Sequence, residues 1–147
     1  MKQFGLLITI VMFYTSVAYA QDLAKGRLDT SLVDHAINAL NEQDIGYFEK
    51  RLATNVVWLD EDGHAISGKE RVTTFINRRL MIDQQKIVTQ NVKVLTSDNS
   101  TWGYFSYAIE VDGDALIKGL GSVVFHKLDN DWQIVLVHGA HNVGTHN

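Results

Sequence analysis

The chain has 147 residues, 46% hydrophobic and 20% charged, with a formal net charge of −4, 11 glycines and neither proline nor cysteine. This is the composition of a globular protein, and it excludes disordered, collagen-like and coiled-coil chains, disulfide scaffolds, thiolate metal sites and cysteine nucleophiles. The mild acidity argues against a nucleic-acid partner, because neutralising phosphates requires a basic face.

Residues 1–20 read as a cleaved secretory signal. Lys2 supplies the positive start, residues 4–13 form an apolar run broken only by Gly5 and Thr9, and Ala18-Tyr19-Ala20 is a small-residue exit. The apolar run is short for a membrane helix. The mature protein is therefore expected to be periplasmic or secreted, with no membrane partner after cleavage and, lacking cysteine, no lipid anchor. Residues 21–28 form a polar lead-in. Residues 29–147 contain no repeat, low-complexity tract or linker, and read as one domain.

Three helices are expected first. Ser31 can cap a helix carrying Leu32, Ala36, Ile37 and Leu40 at helical spacing, and Asp44 can cap a shorter one with Ile45, Phe48 and Leu52. Ser67-Gly68-Lys69-Glu70 reads as a capping box, in which Ser67 and Glu70 each satisfy the other's free N–H, with Val72, Phe75, Ile76 and Leu80 following on one face. A short strand at 56–60 separates the second and third helices. Strands at 87–95, 101–111, 114–127 and from 132 onward complete the chain, with hairpin signals at Asp112-Gly113 and around Asp129-Asn130. The order α-α-β-α-β-β-β-β implies an α+β fold with three N-terminal helices on a curved, largely antiparallel sheet.

If the two turns pair Val111 with Asp114 and Lys127 with Trp132, and the register continues unbroken, Tyr104, Gly121 and His138 form one row across three strands. Ser106, Gly119 and Ala140 form the next row, and Trp102, Val123 and Leu136 the one beyond. Glycine within a strand marks a bulge or a close approach. Gly119 and Gly121 would then leave space over which Tyr104 and His138 share a ligand, or they would only let the sheet coil. The opposite face, with Phe105, Tyr107, Ile109, Leu120, Val124, Val135 and Val137, is too apolar to remain wet. Three helices can cover only one face of the sheet, so a homodimer through the other is expected.

From residue 29 onward the chain resembles the NTF2-like superfamily, and within it the SnoaL-like and DUF4440 group. The matching residues are Asp44-x-x-x-Phe48, Val56-Val57-Trp58 before the Gly63 turn, Gly68-Lys69-Glu70, and Gly119-x-Gly121 followed by Trp132-Gln133-Ile134-Val135-x-x-His138. The resemblance implies a cone whose sheet curves around a pocket and often dimerises through the sheet. It implies no particular reaction, because this fold hosts isomerases, cyclases, dehydratases and binding proteins. Ketosteroid-isomerase-like members place a general-base carboxylate near Asp60. Their partner tyrosine aligns with Ala36, however, and no acid lies near Gly119 to Val123, which argues against a steroid isomerase.

The expected pocket is lined by Trp58, Trp102, Tyr104, Ser106, Gly119, Gly121 and Arg79, with Asp60 and His138 as candidates for acid–base work. For Asp60 the alternative is a turn residue in the solvated loop Asp60-Glu61-Asp62-Gly63, for His138 a structural hydrogen bond, for the aromatics a core role, and for Arg79 a solvated helix end. His138 and His141 fall on opposite faces of one strand, His35 and His64 are isolated, and His146 lies in the tail, so no metal site and no cofactor are expected. The expected function is binding of a small, mostly apolar molecule. One alternative is an isomerase, cyclase or dehydratase using Asp60 and His138, and a second is a protein-interaction module.

Overall fold

The computed structural model describes residues 30–80 and 85–141. The expected signal at 1–20, the lead-in at 21–28 and His146 lie outside the described residues. The elements are α1 (Ser31–Asn41), α2 (Ile45–Arg51), β1 (Leu52–Leu59), β2 (Ala65–Ser67), α3 (Lys69–Leu80), β3 (Gln85–Thr96), β4 (Ser100–Val111), β5 (Asp114–Leu128) and β6 (Asp131–His141). One six-stranded sheet has the order β2-β1-β6-β5-β4-β3. β1 and β6 run parallel, and every other pair is antiparallel.

Among the described residues there are three helices and a largely antiparallel sheet, but only α1 and α2 precede the sheet. α3 follows β2, a short strand absent from the sequence reading, in which Ser67 pairs with Val57. The capping box therefore does not form, because Ser67 belongs to β2 and α3 starts at Lys69. Gly68 holds the position before the helix at φ 92°, with its carbonyl accepting the Val72 N–H at 3.0 Å. The cap of α2 is as expected: Asp44 Oδ1 accepts the Tyr47 N–H at 3.0 Å. α1 has Thr30 at its cap instead of Ser31.

The helices cover one face of the sheet. Buried Val33, Phe48, Leu52, Val56, Val72, Ile76, Phe125 and Ile134 form the centre of the core, each large apolar side chain contributing about 1.5–3 kcal/mol. Asn41 fastens the end of α1 to the edge strand, donating to Ile87 O at 2.9 Å and accepting from Ile87 N at 2.7 Å.

Both hairpin turns pair as expected, Val111 with Asp114 and Lys127 with Trp132. Asp112, Gly113, Asp129 and Asn130 all have positive φ, the signature of two-residue type I′ turns. The register does not continue unbroken. Between Glu110↔Ala115 and Ile109↔Ile117, β5 carries one extra residue, and between Phe125↔Ile134 and Val124↔Leu136, β6 carries another. Each bulge shifts the pairing by one, which exchanges the faces beyond it. The observed rows are Phe105–Gly121–Gly139 and Tyr107–Gly119–His141 under the helices, and Tyr104–Ser122–His138 on the outer face. The expected row Tyr104–Gly121–His138 does not exist. A methyl group on Gly121 would meet the Phe105 ring at 2.5 Å, and one on Gly119 would meet Ala140 O at 2.3 Å and the Tyr107 ring at 2.6 Å. These glycines admit the two rings and leave no open space of their own.

Candidate functional site

β1 ends at Leu59 and enters a tight turn. The Asp60 carboxylate accepts the N–H groups of Asp62 at 3.1 Å and His64 at 2.7 Å, and lies 3.3 Å from His64 Nδ1. Partial desolvation pushes the Asp60 carboxyl up, but the His64 and Asp62 N–H groups and the imidazole outweigh this and hold it below the usual carboxylate range. Asp60 is a turn residue, with Oδ1 accepting from the local backbone and Oδ2 facing the His64 imidazole. The turn also brings ligand-capable atoms of Asp60, Asp62 and His64 within 4.8 Å of one another on an exposed edge.

With Asp60 occupied in this way, the next side chain turns inward. Glu61 is only 10% exposed, and its Oε1 accepts from Arg79 Nη1 at 2.5 Å. Arg79 ends α3 and lies over the Phe75 ring at 5.4 Å, which in turn meets Trp58 edge-on at 5.4 Å. His141, at the end of β6, places Nε2 3.7 Å from Glu61 Oε1. Tyr107 on β4 packs against the His141 ring, centroids 6.4 Å apart. The Tyr107 hydroxyl and His141 Nε2 are both buried, and among the described residues neither has a hydrogen-bond partner.

Glu61, Arg79 and Tyr107 line one end of an apolar cavity with two lobes, each of about 80 Å³, that share Trp58, Arg79 and Ile109. Ile37, Phe105 and Val137 complete the wall nearest the polar cluster. Burial, reinforced by the Glu61 carboxylate and opposed by Arg79, pushes the Tyr107 hydroxyl up to about 12. Tyr107 is therefore a neutral O–H at any physiological pH, able to donate to a ligand oxygen.

Of the residues expected to line the pocket, Trp58, Arg79 and Gly121 border this cavity, and Gly119 lies beneath the Tyr107 ring. Trp102 and Tyr104 stand on the outer face, 45% and 38% exposed. Ser106 is also on that face, donating to Gln90 O at 3.0 Å and accepting from Asn91 Nδ2 at 3.3 Å, where it braces a bulge in β3. His138 borders the cavity, but it pairs with Ser122 in the outer row and its side chain is exposed. Asp60 and His138 thus do not meet in one pocket. Glu61 and Tyr107 do, with His141 packed beside them, and none of the three is a candidate in the sequence reading. In the sequence Glu61 is one of three acids in a loop, Tyr107 falls on the face without the pocket if the register is unbroken, and His141 stands three residues from His138, on the opposite face of a regular strand.

Several solved structures share this architecture. An NTF2-like protein with a cystatin-like fold from Novosphingobium aromaticivorans superimposes with a TM-score of 0.66 at 13% identity, over 90% of this chain and 92% of that one. A putative ketosteroid isomerase from Parabacteroides distasonis gives 0.66 at 18% identity, over 82% and 98%. The chain has the NTF2-like fold. An LEH-like epoxide hydrolase from M. tuberculosis is a more distant neighbour with this fold, at a TM-score of 0.57 and 18% identity over 76% of each chain. No protein-family model and no curated protein matches the sequence. At these identities the likeness shows the NTF2-like fold, and the chemistry has to be argued from the cluster itself.

The raised Tyr107 hydroxyl makes stability depend on pH. The folded chain holds this proton more tightly than the unfolded chain, whose tyrosines titrate near 10.0. The stabilisation is complete below about pH 10 and is lost as pH rises toward 12. Melting curves across that range should fall more steeply for the wild type than for Tyr107→Phe. Parallel curves would show that the hydroxyl is not perturbed by its surroundings.

Proposed function

We propose that this domain binds a small, mostly apolar molecule in the cavity between α1, α3 and the sheet, with the polar atom of the ligand held at the Glu61–Tyr107 wall. The observation that carries this reading is the Tyr107 hydroxyl, buried and without a partner among the described residues, lining a largely apolar space. Buried polar groups are nearly always hydrogen-bonded, so such a hydroxyl at the cavity wall fits a site completed by its ligand. Small-molecule sites commonly combine an apolar lining with a few convergent polar groups. Toluene is a compact probe of the apolar part. In an NMR titration it should shift the indole N–H of buried Trp58 and leave those of Trp102 and Trp132 in place. A response at Trp102 alone would move the binding site to the outer face and end this reading.

A second reading, acid–base catalysis, is favoured by one further observation: a carboxylate, an arginine, an imidazole and a hydroxyl cluster at one end of the sheet. Glu61 would take the proton and Tyr107 would donate one to the oxygen of the substrate, the roles first sought in Asp60 and His138. Neighbours in fold are described as a putative ketosteroid isomerase, a putative dehydratase and an epoxide hydrolase. Styrene oxide tests the last of these chemistries. Hydrolysis above the buffer rate, reduced about 10²–10⁴-fold in Glu61→Gln, supports it, and equal rates in the two proteins reject a catalytic Glu61.

The outer sheet face supports a homodimer. Leu95, Trp102, Leu120 and Tyr104 are 62%, 45%, 40% and 38% exposed there, a concentration of apolar surface that favours a partner. The face is the opposite of the one first expected, because Phe105, Tyr107 and Ile109 lie under the helices. The leader-like residues 1–20 support action in the periplasm or outside the cell. Native mass spectrometry of the exported protein should give twice the mass of a chain beginning at Gln21, reduced to one copy by Trp102→Glu. A chain retaining Met1 would reject export with cleavage, and an unchanged dimer in the variant would reject this interface.

A further inference from the structure

Taking the cavity as the binding site proposed above, we infer that Gly139 is its specificity-determining position, and that the notch over this glycine receives the hydroxyl group of a neutral alcohol or phenol.

Four glycines lie within β4, β5 and β6 under the helices, and three of them are closed by neighbours. A methyl group on Gly103 would meet Val33 Cγ2 at 2.3 Å, on Gly119 the Ala140 carbonyl at 2.3 Å, and on Gly121 the Phe105 ring at 2.5 Å. Gly139 differs. A methyl carbon there would lie 3.7 Å from Glu61 Cγ, 3.7 Å from Glu61 Oε1 and 3.7 Å from Tyr107 OH, all at ordinary contact distance. The space beside Gly139 is therefore open, and a ligand atom resting against its Cα faces the carboxylate and the phenol together. The notch opens into the cavity, because Gly139 and Gly121 both line it and form a row whose only side chain, Phe105, lies over Gly121.

The two groups set the chemistry of the occupant. Tyr107 OH is neutral and donates, while Glu61 accepts, with Arg79 on Oε1 leaving further lone pairs free. A hydroxyl can accept from one and donate to the other. A carboxylate would bring a second negative charge beside Glu61, whose neutralising cation is already engaged, and burying it there would be costly. A hydrocarbon would fill the apolar lobes and leave both polar groups unsatisfied.

Phenol, toluene and benzoate, titrated into the full chain and followed at the Trp58 indole, separate these cases. Phenol should bind the wild type at least about tenfold more tightly than benzoate. Gly139→Ala should weaken phenol by about tenfold while leaving toluene within about twofold, the loss of a hydrogen bond to a charged group with no loss of apolar contact. Its melting temperature should stay within about 2 °C of wild type, because the added methyl meets nothing closer than 3.7 Å. Tyr107→Phe leaves the backbone and Gly139 untouched and should likewise lower phenol affinity selectively, so the outcome does not depend on the glycine variant folding. Phenol and toluene weakened equally, or phenol unaffected in both variants, would overturn the notch and leave cavity binding intact. Binding of benzoate as tight as that of phenol would overturn the assigned ligand class. If neither phenol nor toluene perturbs the wild type, the notch and the cavity reading fall together.

Discussion

The arrangement of this molecule depends on two single extra residues, one early in β5 and one early in β6. Side chains in a strand alternate with a period of two, so one inserted residue hands every position beyond it to the other face. Without the bulge near Ile109, the Phe105 and Tyr107 rings would lie opposite Leu120 and Lys118 and have no glycines to lie over. With it, they settle over Gly121 and Gly119. The bulge in β6 then brings Val137, Gly139 and His141 to the same side. Bulges also increase local twist, and a sheet curled in this way lets a few helices enclose a cavity where a flat sheet would be packed shut. β5, at 15 residues the longest of the six strands, takes part in the two ladders that carry these extra residues and runs through the middle of the sheet.

On this scaffold the Glu61–Arg79 pair has to be stable in two respects. Taking a carboxylate to 10% exposure costs several kcal/mol unless it is well paired. Arginine suits the task because its planar cation is weakly hydrated and stacks on aromatic rings, and Arg79 does so on Phe75. Arg79 remains 39% exposed, so the pair keeps contact with solvent at one end and faces the apolar lobes at the other. The Glu61 charge is thus held in place without being fully neutralised by burial of its partner. It still acts on Tyr107, whose hydroxyl it helps to keep protonated.

Much of the fold is written plainly in the chain. Helical spacing marks α1 and α3, Asp44 announces α2, and Asp112-Gly113 and Asp129-Asn130 name their turns and pair the residues beside them correctly. The likeness of Gly119-x-Gly121 and the last strand to NTF2-like proteins agrees with the observed fold, though the third helix follows two strands instead of preceding the sheet. What the sequence conceals is the bulges: nothing about Leu116 or Val135 distinguishes them from their apolar neighbours, and their effect is non-local. The stripe Trp132, Ile134, Leu136, His138 looks like one face of a strand, but the extra Val135 divides it, leaving Ile134 buried in the core and His138 outside. In the acidic loop, composition shows three carboxylates and turn geometry selects the one that faces inward. Asp60 accepts the N–H groups of the turn because it stands first in it, and this sends Glu61 into the cavity.

The location of the cluster follows from the one parallel pairing in an otherwise antiparallel sheet. Antiparallel neighbours send successive strand ends to opposite edges, so residues following two such strands rarely meet. β1 and β6 run in the same direction with Leu59 beside His138, so the residues just beyond them leave from the same end. Glu61 is two positions past Leu59 and His141 three past His138, near enough for the carboxylate and the imidazole to meet at 3.7 Å. α3 lies between β2 and β3 in sequence and closes that end with Arg79 in its last turn. The short strand β2 is therefore more than decoration on the edge. By turning the chain back after β1, it fixes both the loop that aims Glu61 and the start of the helix that supplies its counter-ion. Loops at the ends of a rigid sheet are where chemistry accumulates in many folds. Here the parallel β1–β6 pair brings acid, imidazole and guanidinium to one end of the sheet, and the bulged β4–β5 ladder adds the hydroxyl.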